Sequence, residues 1–416
     1  CLFTLVSERH ARNTDRDNER HGVAMVGRVQ LTSALDRLEA GDQLSLSEYT
    51  SQNSPFRYFK NPMGGLSQYY AGTLSDLKLM DASAKPWIKY TKELGAPLAE
   101  LVDSRIQGNR FWRVVEGDSV TCDDLDTLSD LCACRLCDST DECKTLVDIY
   151  FDRHESYEQE GVQRRRSLGL ILNLARSLTD GHDLTESVFR ACTYSGALPG
   201  QAPWTVPESL RPTLACWAVY ERNDLLSIAC QTVLGLALRE LAPQDAASRM
   251  AYGSVEAFAE AFSNGAAVAD VARELNVQLV GDFLDRLSNS MPPLAFWENE
   301  EHEIQVALRM LVSWSRGDDT QTLLQLSVTV LALLACRDVP SQSPYGGVAL
   351  SPEALVDYPI NLASFRARLE TWRPMSFSAF IADLVTWCLN THLRVALRKL
   401  RYTGRSTFHM RPSERG

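Results

Sequence analysis

Between residues 150 and 337, apolar side chains recur at spacings of three and four with few interruptions, the period of one helix face. Residues 166–178 are amphipathic, and 210–241 carry a long apolar run. Residues 255–262, 266–275, 280–287, 302–315 and 320–336 repeat the pattern, with short joints holding Gly, Pro or Asp. No fixed repeat period emerges, which argues against a regular solenoid. The pattern predicts a mainly α protein built as a multidomain irregular helical bundle. A length of 416 residues suits two to four domains at roughly 100–200 residues each. With 45% hydrophobic and 23% charged residues, wholesale disorder, a coiled-coil rod and a small disulfide scaffold are excluded.

Punctuation divides the chain further. Residues 1–54 read as helix, loop and helix, with Leu31, Ala34, Leu35 and Leu38 on one face. Residues 55–110 change style. Leu66, Tyr69, Tyr70, Leu74 and Leu77 keep helical spacing, 79–80 can start a strand, Lys85 and Pro86 close a turn, and 87–91 alternate as a strand does. A further helix enters at Gly95, with Pro97 in its first turn. Residues 111–149 read as a cysteine-rich loop, 150–337 as the bundle, 338–352 as a linker, and 353–416 as a basic helical segment with a long helix over 376–401.

The order helix, strand, turn, strand, helix over 55–110 resembles a winged helix. That resemblance implies that the helix at 66–77 lies in a DNA major groove, or that the module packs against other proteins. The helix at 376–401 and the strand at 407–412 resemble the recognition helix and first wing strand of a second, truncated winged helix ending in an unfinished β-hairpin. The overall style also resembles accessory proteins of bacterial phage-defence gene clusters, with no diagnostic motif carrying it.

Two constellations could bear chemistry. Cys132, Cys134, Cys137 and Cys143 place four thiols in twelve residues, with Cys122 upstream. Four thiolates can close a tetrahedral zinc site, which would staple a core-poor loop. The spacing C-x-C-x2-C-x5-C is not a standard finger; iron–sulfur ligation and plain reduced thiols are the alternatives. The other constellation is the C-terminal segment. Residues 364–416 hold ten Lys or Arg against three acids, +7 in a chain of net −11, so residues 1–363 carry −18. On one continuous helix, Arg394, Arg398, Arg401 and Arg405, with Lys399 beside them, form a stripe that can neutralise a row of phosphates. A solvated helix end is the plain alternative. Leu393, Leu397 and Leu400 are expected buried. The mixed aromatic and cationic loop at 56–60 can stack bases or plug the bundle.

Signatures of common enzymes are missing: no G-x4-G-K-[ST], G-x-S-x-G, H-E-x-x-H or G-x-G-x-x-G occurs. The seven histidines are scattered, and His154 and His302 read by composition as charged helix surfaces. Eleven cysteines, unevenly spaced, suggest reduced thiols in a cytoplasm, with Cys192, Cys216, Cys230, Cys336 and Cys388 buried singly. The opening run from Cys1 lacks a basic leader and a cleavage site, and both ends read as cut from a longer bacterial protein. The best apolar stretch, 323–336, is shorter than a bilayer demands and reads as a core helix, so no membrane is expected. Together these readings predict a non-catalytic, DNA-associated or scaffold subunit with protein partners. The alternatives are a pure protein–protein adaptor and an enzyme whose catalytic part lies elsewhere.

Overall fold

The computed structural model describes residues 1–14, 27–57, 64–81, 83–84, 88–106, 108–179, 181–241, 251–337, 359–395, 400–403 and 407–410. The linker expected at 338–352 and most of the 56–60 loop lie outside them. The fold is mainly α and irregular, with two-stranded antiparallel pairs as its sheets. The chain divides into two compact units, Cys1–Arg165 and Arg166–Gly416.

In the first unit, α1 (Leu2–Thr14) packs on α2 (Arg28–Glu39). Leu2, Leu5 and Val6 meet Leu31, Ala34, Leu35 and Leu38, the face the spacing marks out. β1 (Leu44–Ser45) and α3 (Ser47–Thr50) follow. A π-helical turn at Leu66–Tyr70 runs into α4 (Ala71–Asp76), then β2 (Met80–Asp81) pairs with β3 (Lys89–Tyr90). The register is Met80 opposite Tyr90 and Asp81 opposite Lys89. The element order expected for 66–110 is therefore present, the helix running without a gap from its π-helical turn into α4.

Next come α5 (Gly95–Ile106), α6 (Gly108–Gly117), β4 (Ser119–Val120), α7 (Cys122–Thr127) and α8 (Thr140–Tyr150). The expected cysteine-rich loop is thus largely helical. A capping box between Thr121 and Asp124 starts α7, and Leu125 and Leu128 are fully buried against α1 and α2. Far from being core-poor, this segment supplies part of the core.

α9 (Glu158–Ser177) spans the division between units. The second unit continues through α10 (Glu186–Ser195), α11 (Arg211–Leu241), α12 (Val255–Ser263), α13 (Ala266–Glu274), α14 (Val280–Ser290), α15 (Glu303–Arg316), α16 (Thr320–Arg337), α17 (Leu362–Trp372) and α18 (Phe377–Val395). α16 is central, touching α11, α13, α14 and α15. It is the one helix among the described residues long and apolar enough to cross a membrane, and over half of it is buried within the fold. Gly196, at φ 71°, ends α10 in the left-handed conformation that a side chain resists.

The C-terminus departs from expectation. The long helix is described through Val395, but by Leu400 the chain is a strand: β5 (Leu400–Thr403) pairs with β6 (Thr407–Met410), Leu400 opposite Met410 and Thr403 opposite Thr407. The strand at 407–410 has a partner, taken from residues whose period suggested helix. Tertiary pairing overrides that period here. Phe408 is fully buried against Phe258, with ring centroids 6.0 Å apart, and its backbone exchanges two hydrogen bonds with Tyr252 at 2.7 and 3.1 Å. Cys192, Cys230, Cys336 and Cys388 are buried as expected, although Cys230 and Cys388 touch each other rather than standing singly, whereas Cys216 is exposed on α11.

Candidate functional site

The first unit holds a metal-ligand constellation. Arg9 on α1 bridges Glu39 at 2.6 Å and Asp126 at 2.9 Å, and Arg12 reaches Glu39 at 2.8 Å. These contacts hold α1 against the end of α2 and against α7, and so bring His10 to the turns after α7. There, two short 3-10 turns, Ser129–Leu131 and Ala133–Asp138, flank Cys132. Arg105 anchors them, donating to the Asp130 carbonyl and to the buried Glu142 at 2.7 Å. The ligand atoms of His10, Cys132 and Cys134 all lie within 4.8 Å of one another. The two sulfurs are 3.3 Å apart, near the roughly 3.7 Å edge that two Zn–S bonds of ~2.3 Å imply. Burial, and then the neighbouring Cys132, push the Cys134 thiol up to about 11.

This donor set differs from the four thiols expected. His10, remote in sequence, joins it. Cys143 is half-buried on α8 and is not a member of the described group. The Cys137 side chain lies outside the described residues.

Among the described residues, Arg394 and Arg401 of the expected basic stripe do not share one helix. Arg394 is exposed in the last turn of α18, but Arg401 stands on β5 opposite His409. A strand does not continue the 100° rotation that would align Arg401 with Arg394. Arg398, Lys399 and Arg405 lie outside the described residues, as does Leu397. Leu393 is half-buried at the edge of the core.

In the second unit, a cavity of about 240 Å³ opens between three helices. α10 contributes Glu186, Arg190 and Tyr194, α11 contributes Glu221, Leu225 and Ile228, and α15 contributes Ile304, Ala307, Leu308 and Leu311. Each set repeats at three or four residues, one stripe per helix. Arg190 bonds Glu221 at 2.8 Å and Asp224. Burial pushes the Glu221 carboxyl up, although Arg190 pulls it down. On α15, Leu308, Leu311 and the adjacent Val312 are 39, 44 and 46% exposed, an apolar stripe at the cavity mouth.

Behind the cavity, Tyr194 donates to Glu303, which also holds Arg337 at 2.8 and 3.2 Å. His302 and Glu303 have no exposure at all. The composition that marked Glu301, His302 and Glu303 as a charged surface is misleading, because the helix N-terminus is packed inward. Burial pushes the His302 pKa below its ordinary value. The Glu303 carboxyl lies below its ordinary value: burial opposes ionisation, but the Arg337 ion pair and the Tyr194 hydrogen bond prevail. No family model, curated protein or solved structure matches the chain.

Proposed function

We propose that this protein is a non-catalytic helical scaffold that binds protein partners through its second unit. The observation that carries the reading is the Leu308, Leu311 and Val312 stripe, since contiguous exposed apolar surface beside a polar rim marks interaction sites. We also propose that His10, Cys132 and Cys134 take a zinc ion that staples α1 to the cysteine turns. Three protein donors leave a fourth position for water or another side chain.

The test places a photo-crosslinker at Val312 of the full chain, with and without Leu308→Ser and Leu311→Ser. The reading expects a captured protein, reduced at least fivefold in the double variant. Labelled 30-bp duplex binding with a steep salt dependence, unaffected by those two substitutions, would instead favour nucleic acid as the partner, with the exposed Arg394 as a starting contact.

A further inference from the structure

We infer that the cavity between α10, α11 and α15 is an anchor pocket for one long cationic side chain of a protein partner, whose neighbouring apolar residues seat on Leu308, Leu311 and Val312. The choice of a protein as occupant rests on the scaffold reading above; the chemistry of the pocket does not.

Size comes first. About 240 Å³ exceeds the roughly 150 Å³ of a cavity that takes benzene. It falls short of the ~300–1,000 Å³ of pockets that hold drug-sized ligands. One extended lysine or arginine side chain is the right scale. The apolar walls, Leu225, Ile228, Ile304, Ala307, Leu308 and Leu311, suit its methylenes.

Charge decides the head group. Glu186 and Glu221 line the cavity and Asp224 is bonded to its rim, against the one lining cation, Arg190. Arg190 is already engaged by Glu221 at 2.8 Å, by Asp224, and by Glu186 at 3.8 Å. Two lining carboxylates sharing one guanidinium leave a net negative pocket, so an anion meets repulsion and a cation completes the neutralisation. Just outside the lining, Asp224 and Arg222, the latter over the Tyr194 ring at 5.7 Å, carry opposite charges. Glu221 is 3% exposed, and its carboxyl is pushed up by burial despite Arg190. One guanidinium therefore does not fully offset its desolvation, and a second cation would.

The open mouth decides between a free amine and a side chain. A small amine would fill the cavity yet leave the α15 stripe in water. A partner helix or loop carrying the anchor covers both, the arrangement of a buried hot spot within an apolar patch.

The experiment uses the full chain and three probes of equal length: n-pentylammonium, 1-pentanol and hexanoate, titrated by NMR. The pocket predicts at least tenfold tighter binding of the ammonium than of the alcohol, and no binding of hexanoate. Glu186→Gln combined with Glu221→Gln should remove the preference. Ala307→Trp should block all binding. Leu308→Arg, at an exposed position that does not threaten folding, should block the ammonium through its own cation. Equal binding of alcohol and ammonium, or no ammonium binding, overturns the pocket without touching the crosslinking result. In the second arm, n-pentylammonium is present before irradiation of the crosslinker at Val312. Loss of the crosslinked product supports the anchor. Undiminished crosslinking with the pocket filled, or the absence of any captured partner, assigns the pocket to free amines and overturns the inference.

Discussion

His302 caps α15 as a neutral ring. Its Nδ1 accepts from the Ile304 N–H at 3.3 Å, while Nε2 faces the Leu294 carbonyl at 3.2 Å, an arrangement satisfied only with the proton on Nε2. Protonating Nδ1 would exchange the cap for a contact with Glu303 Oε2 at 3.5 Å, an attraction that burial of the ring outweighs. Because burial lowers the folded pKa below 6.5, the unfolded chain takes up the proton first on acidification. The contribution is therefore complete above pH 6.5 and declines as pH falls from there toward the folded value. Glu303, whose folded pKa is lowered from 4.5, acts in the same direction at lower pH. Urea midpoints measured from pH 7.5 to 5.5 should fall for the wild type. The fall should be shallower in His302→Asn, which keeps an N-cap oxygen. Parallel slopes for the two proteins would rule the imidazole out as the source.

At the scale of elements, the sequence period located most helices and misjudged where they end. The 31, 34, 35, 38 face of α2 and the core stripe of α16 were legible because burial on one side leaves a three-and-four spacing. The end of the last helix was not, because residues 400–403 obey helical spacing until a partner strand captures them. The metal group was half legible. Cys132 and Cys134 stand out locally, but His10 reaches them only through the packing of α1 that Arg9 and Arg12 fasten. The cavity was not legible at all, since its walls come from three helices spread over more than a hundred residues of sequence. The C-terminal hairpin provides the sharpest check at this scale. Phe408 is buried among Tyr252, Phe258 and the α12 face. Phe408→Ala should cost about 3–5 kcal/mol, as deleting a core aromatic does, read as a lower denaturation midpoint of the second unit. A peripheral tail would show a change within ~0.5 kcal/mol.

At the scale of the molecule, each unit has a core of its own, so a ligand of one should stabilise chiefly the elements of that unit. Zinc on His10, Cys132 and Cys134 would tie α1 to the turns between α7 and α8, cross-linking positions more than 120 residues apart. A ligand that binds only the folded state stabilises it by about 2.7 kcal/mol at a hundredfold excess over Kd. Amide exchange across residues 1–14 and 122–138 should then slow roughly a hundredfold when zinc is added to chelator-treated protein, if those amides exchange through opening of the site. Exchange over Thr320–Arg337, in the core of the other unit, should stay unchanged. Elemental analysis should give about one zinc per chain, and Cys132→Ser should abolish both the metal and the protection. A zinc effect spread equally over both units would point to nonspecific binding, and no zinc effect at all would leave the three side chains as neighbours held together by packing alone.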